Sequence, residues 1–295
     1  MLFSLLSIVT AESGERIMVK TFKIIELQEY QNTRKCPSND EFMITIICNL
    51  LNNLALRNNF IHSELRSYKI QNKKGDDNLR ILSGLYVCSL VTCWETFFRD
   101  LFVFLCNNDK KIENHLDVSL KQKERNQTPS GITLGEFYTT KYNFQNLNQL
   151  RRAFDFIFQK KTQHVSDYFS DDVFHGVIFA EHAKIRKWIN EGTLKSKIDT
   201  TLQKAFEIRH RVTHDANYLV NEPPTLFSDI ECVFQMVPQF FASHIAKKYM
   251  QKRVVFNVNE KYVRITSAPE SNEVSYAFTI DDFIATDYEV APRQS

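Results

Sequence analysis

Apolar side chains recur along most of this chain at intervals of three and four residues, the period of a helix that turns one face inward. Ser38 and Glu41 form a capping-box pattern just after Pro37. Behind it Phe42, Met43, Ile46, Ile47, Leu50, Leu51, Leu54, Ile61, Leu65 and Tyr68 keep the helical period, until Lys73-Lys74-Gly75-Asp76-Asp77 breaks it. Residues 79–106 are apolar almost all round, which predicts a second helix, central to the core and antiparallel to the first. Residues 107–146 are polar, contain Thr128-Pro129-Ser130-Gly131 and Gly135, and read as a long excursion of mobile loops with short elements of its own. Helical periodicity returns over 147–158, over 165–189 with a stop near Gly192, over 194–220, and over 226–250 with a kink at Pro238; Asn221-Glu222-Pro223-Pro224 separates the last two. After Lys252 the period becomes two. Val254, Val255, Phe256 and Val258, then Tyr262, Val263 and Ile265, flank Asn259-Glu260-Lys261 and predict a hairpin, with 275–280 as a third strand.

These elements predict a mostly α protein: an N-terminal segment over 1–37, an antiparallel helical bundle over 38–250 with its excursion at 107–146, and a small β-containing appendage over 251–295. Composition agrees, since 24 Phe and 11 Tyr stand against only 7 Gly and 7 Pro, too few for the corners of a sandwich, barrel or propeller. A formal charge of +2 does not predict binding to a polyanion by bulk charge, so any nucleic-acid contact is expected to be local. The charge is uneven, however. Residues 141–214 carry 13 basic and 8 acidic side chains, whereas 251–295 carry 5 and 7, so a phosphate-bearing ligand is expected on the helical part. Six cysteines without a C-x-x-C pair suggest buried thiols in a reducing cytoplasm rather than a zinc ribbon or disulfide scaffold. The apolar start, residues 1–11, lacks the positive charges of a signal peptide, and the uncharged run over 81–94 is shorter than the roughly 20 residues that span a bilayer. No membrane span is expected.

Candidate chemistry concentrates in Arg209-His210-Arg211-Val212-Thr213-His214. If the helix continues to Val220, Arg209 lies in the middle of an apolar stripe with Leu202, Ala205, Phe206, Val212, Ala216 and Val220. A guanidinium there needs a carboxylate, carbonyl or phosphate partner. His210 and His214 fall one turn apart on the flank of that stripe. A structural reading pairs Arg209 with a core acid such as Glu95 and leaves the histidines solvated. Zinc binding by His210 and His214 lacks both a third ligand and a catalytic glutamate between them. Trp188 beside Lys184, Arg186 and Lys187 suits stacking on an RNA base, or else caps the core. His175 and His182, with Glu181, share a further helical face. No phosphate loop, nucleophile elbow or kinase signature appears.

The run from Arg209 to His214 resembles the R-x4-6-H motif of the HEPN superfamily, in its form with Asn, Asp or His directly after the arginine. Residues 94–101, Trp94-Glu95-Thr96-Phe97-Phe98-Arg99-Asp100-Leu101, resemble the aromatic-acidic helix of several of its families, and the larger RiboL-PSP and MAE types are the candidates within it. The resemblance implies a helical bundle and a metal-independent endoribonuclease, often a toxin or antiviral effector, with its site assembled from two motifs across a homodimer. It implies no cofactor, and RNA, a second copy and an antitoxin or sensor protein as partners. Arg209 and His214 are then catalytic, with His210 and Glu95 in support and Arg211, Lys184, Lys187 and Trp188 toward RNA. A non-catalytic nucleotide- or partner-binding module is the alternative, and a DNA-binding regulator a third. Ala216 stands where toxins paired with nucleotidyltransferase antitoxins carry tyrosine, the nearest being Tyr218, so the sequence departs from that partnership.

Overall fold

The most apolar stretch of the chain forms the helix around which the others are laid. The computed structural model describes residues 38–70, 77–121, 131–168, 183–257 and 262–267. Helix α1 (Asn39–Ile70) starts where Ser38 Oγ accepts the Glu41 N–H at 3.2 Å. Helix α2 (Asp77–Asn108) returns antiparallel beside it, with Phe42 stacked on Phe104 near one end and Asn58 Nδ2 bonded to the Tyr86 hydroxyl toward the other.

Helices α5 (Leu147–Phe158), α7 (Leu194–His214) and α8 (Pro224–Ile245) close over α2. Trp94 meets Phe206 of α7 and Phe234 of α8 at centroid distances of 6.1 and 5.1 Å. One turn on, Phe98 sets its ring edge-on to Phe154 of α5 at 5.8 Å and Phe241 of α8 at 4.9 Å. Such arrangements align the positive edge of one ring with the negative face of the next while burying large apolar areas. By length and composition α2 is apolar enough to cross a membrane, but its large side chains Trp94, Phe98 and Phe102 are fully covered by neighbouring helices.

The polar excursion is not a set of loops where it is described. It holds α3 (Lys110–Ser119), capped by Asp109 Oδ1 accepting the Lys111 and Ile112 N–H groups, and α4 (Leu134–Thr139), opened by a complete capping box between Thr133 and Glu136. Ile112, Leu116, Tyr138 and Phe144 are buried. Gly135 lets α4 lie directly on α2, since a Cβ there would come within 2.7 Å of Cys106 Cβ.

Other expected bounds shift. The start of the helix expected over 165–189 is a single 3₁₀ turn, Val165–Tyr168, and α6 (Ala183–Asn190) forms its end. His175, Glu181 and His182 lie outside the described residues, as do residues 1–37 and the third strand at 275–280. Helix α7 stops at His214 rather than Val220, because Asp215 accepts the Asn217 N–H at 3.0 Å and turns the chain. Helix α8 runs helically through Pro238, and a π turn at Ala246–Met250 follows. Strands β1 (Lys252–Asn257) and β2 (Tyr262–Ser267) pair antiparallel with Val254 opposite Ile265, and Lys252 Nζ ties the pair to Asp40 of α1.

Truncating the buried Phe98 to alanine should cost about 3–5 kcal/mol in urea unfolding, whereas Val118→Ala, at an exposed position, should stay within about 0.5 kcal/mol.

Candidate active site

Helix α7 is held along most of its length and released at its end. Leu194, Ile198, Leu202, Ala205, Phe206 and Ile208 are buried. Past Ile208 the side chains emerge: Arg209 is half-buried, and His210, Arg211, Thr213 and His214 are exposed. Val212 makes the last inward contact, on Gly84 of α2. A Cβ on Gly84 would approach Val212 Cγ2 to 2.8 Å and Val220 Cγ2 to 3.1 Å. The missing side chain thus lets the final turn of α7 and the segment after it rest on α2 together.

The imidazoles of His210 and His214 lie one helical turn apart, with ring centroids separated by 4.6 Å and planes inclined at 51°. Arg209 sits beside Cys88 of α2: burial pushes that thiol up, and the nearby guanidinium opposes the rise. The Arg211 guanidinium lies over the Tyr218 ring at 3.9 Å, folding the turn after α7 back against the helix. Thr213 Oγ1 donates to the carbonyls of Arg209 and His210. One short stretch of surface therefore carries two imidazoles and two guanidiniums.

Several expectations for the site are corrected. Arg209 is not enclosed in an apolar stripe. The wheel that placed it there required helix through Val220, and with α7 ending at His214 the stripe loses Ala216 and Val220, leaving Arg209 at its open end. It makes no ion pair among the described residues, and Glu95 is not its partner. Glu95 instead holds Arg99 Nη2 at 2.9 Å and accepts from Gln145. It makes no contact with His210 or His214 among the described residues.

The basic tryptophan segment also differs. Trp188 is 4% exposed and belongs to the core with Ile185, so no base can stack on it. Lys184 Nζ is held by Asp229 at 2.7 Å and by Ser228. Lys187 points outward with a side chain 69% exposed, reaching Glu191 only at 3.9 Å. Elsewhere on the helical face, Lys195 pairs with Asp167 and Lys204 with Glu222.

Sequence reasoning missed a feature beside the motif. Leu56 and Phe60 on α1, and Ile81 and Leu85 on α2, are large apolar side chains left about half exposed or more. Ile81, Leu85 and Cys88 share one stripe of α2, the stripe that reaches Arg209. No periodicity could separate these outward leucines from the inward ones of a helix that is apolar on every side.

A protein-family model described as RiboL-PSP-HEPN matches residues 56–237, a span that includes α2, α7 and the Arg209–His214 turn. No curated protein and no solved structure matches the chain.

Trp188→Ala should lower stability by about 3–5 kcal/mol. Arg209→Ala should leave it within about 0.5 kcal/mol, both read from urea unfolding, and a loss above about 2 kcal/mol for Arg209→Ala would reveal a buried partner.

Proposed function

The chain belongs to the RiboL-PSP family of the HEPN superfamily, and from that premise we propose that it is a metal-independent endoribonuclease working with the last turn of α7. Membership by itself suggests RNA cleavage or nucleotide binding. The observation that favours cleavage is the exposed His210–His214 pair beside an Arg209 that makes no ion pair among the described residues.

In this reading the 2′-hydroxyl of one nucleotide attacks the adjacent phosphorus and the P–O5′ bond breaks. A base removes the 2′-proton, an acid protonates the departing O5′, and the products are a 2′,3′-cyclic phosphate and a 5′-hydroxyl. Imidazole can both take and give a proton near neutral pH, and a guanidinium meets two phosphate oxygens at once. His214 is assigned the proton transfer, Arg209 the charge building on the phosphoryl oxygens, and His210 the placement of the scissile phosphate. Arg211, held on Tyr218, and the outward Lys187 are left to contact flanking RNA.

Two proton transfers on opposite sides of one phosphorus are met by two copies of the motif. Ile81 and Leu85, on the side of α2 that reaches Arg209, and Leu56 and Phe60 on the neighbouring α1 leave large apolar side chains half exposed or more, a surface suited to a second copy. A homodimer joined there would bring two α7 ends near one another, and we assign the composite site to that interface. A cytoplasmic toxin or antiphage effector, restrained by an antitoxin or sensor protein, is the biological role that follows.

Incubated with total bacterial RNA in EDTA, the wild-type protein should yield fragments ending in cyclic phosphate, and His214→Ala and Arg209→Ala should each lose about 10²-fold or more in rate. No cleavage and no His214-dependent toxicity would replace the nuclease with a nucleotide- or partner-binding module. Leu85→Arg should convert dimer to monomer in sedimentation and remove cleavage with it.

A further inference from the structure

A separate cavity of about 460 Å³ opens between the end of α1, the start of α2 and the start of α8. That volume lies in the range of small-molecule sites. Ile61, Leu79, Val220, Pro224 and Phe227 give it apolar walls, and Glu231 places a carboxylate among them.

Glu231 Oε1 accepts the Tyr86 hydroxyl at 2.7 Å and Asn58 Nδ2 at 3.1 Å, both neutral donors. Burial and the neighbouring carboxylate push the Tyr86 phenol far up, so it stays a donor. Among the described residues, the ion-pair partner of Glu231 Oε1 is His62, whose Nε2 lies 3.9 Å away with its side chain half in solvent. Oε2 has no partner among the described residues. The other charges at the rim are already engaged: Arg80 with the Val220 carbonyl and Asp77, and Glu222 with Lys204. A neutral guest would leave the mostly buried Glu231 carboxylate with no closer counter-charge than His62, whereas a cationic guest would supply one directly.

We propose that this cavity binds a small organic cation, an ammonium or guanidinium carried on an apolar body, with Glu231 Oε2 as its anchor and Phe227 and Leu79 against the body. Val220 gives the site a mechanical link to the α7 end, since it forms part of the cavity wall and, like Val212, packs against Gly84. An occupied cavity therefore stiffens residues 215–223, the segment that leaves His214. Binding here requires no ribonuclease activity.

The test titrates the full chain with phenethylamine and with agmatine by calorimetry, using 2-phenylethanol as the uncharged counterpart of the first. At least one amine should saturate below about 1 mM, and the alcohol should bind at least about tenfold more weakly. Glu231→Gln should weaken the amine by a similar factor. Leu79→Trp, which adds bulk at the cavity wall and leaves Glu231 in place, should abolish binding and guards against a folding defect in the first variant. Amide exchange over 215–222 should slow when the amine is bound. Absence of saturation by both amines up to about 10 mM, equal binding of the alcohol, or undiminished binding in both variants would overturn the proposal.

Discussion

A helix that is apolar on nearly every side has to be enclosed, and α2 imposes that requirement on the whole molecule. Trp94, Phe98 and Phe102 need cover from several directions at once, and α5, α7 and α8 supply it with rings set edge to face. The enclosure loosens toward the first turns of α2, where Ile81 and Leu85 face outward. Helix α7 crosses that boundary, so its anchored part ends at Ile208 and its last turn stands clear. The exposure of the motif is thus a consequence of where the core stops, rather than of any local irregularity in α7.

Much of this was legible in the residues because the strongest signals are periodic. The span 147–158 forms as read, and the central, antiparallel placement of α2 follows from its lack of a polar face. The short elements expected inside 107–146 had no legible type or bounds, since α3 and α4 each contribute only a few inward residues and ten or fewer residues display a period poorly. Their capping residues, Asp109 and the Thr133–Glu136 box, were the available signal. At the site, the neighbourhood of Arg209, His210 and His214 follows from spacing on one helix. The placements of Glu95 and Trp188 do not. Glu95 depends on a tertiary partner in Gln145, and adjacency to lysines could not reveal that Trp188 and Ile185 share the inward face of α6.

Gly84 joins two regions that are distant in function. Its bare Cα accepts Val212 from the motif helix and Val220 from the wall of the cavity that holds Glu231, so both valines rest on one point of α2. Tightly packed contacts of this kind transmit displacement because they have no slack to absorb it.

The lysines of the helical face carry a different consequence. Lys184, Lys195 and Lys204 each hold a carboxylate, of Asp229, Asp167 and Glu222 respectively, as Lys252 holds Asp40. A cation already neutralised by the protein displaces few condensed counterions when a polyanion arrives. Any binding of a polyanion to this surface would accordingly weaken only shallowly as salt is raised.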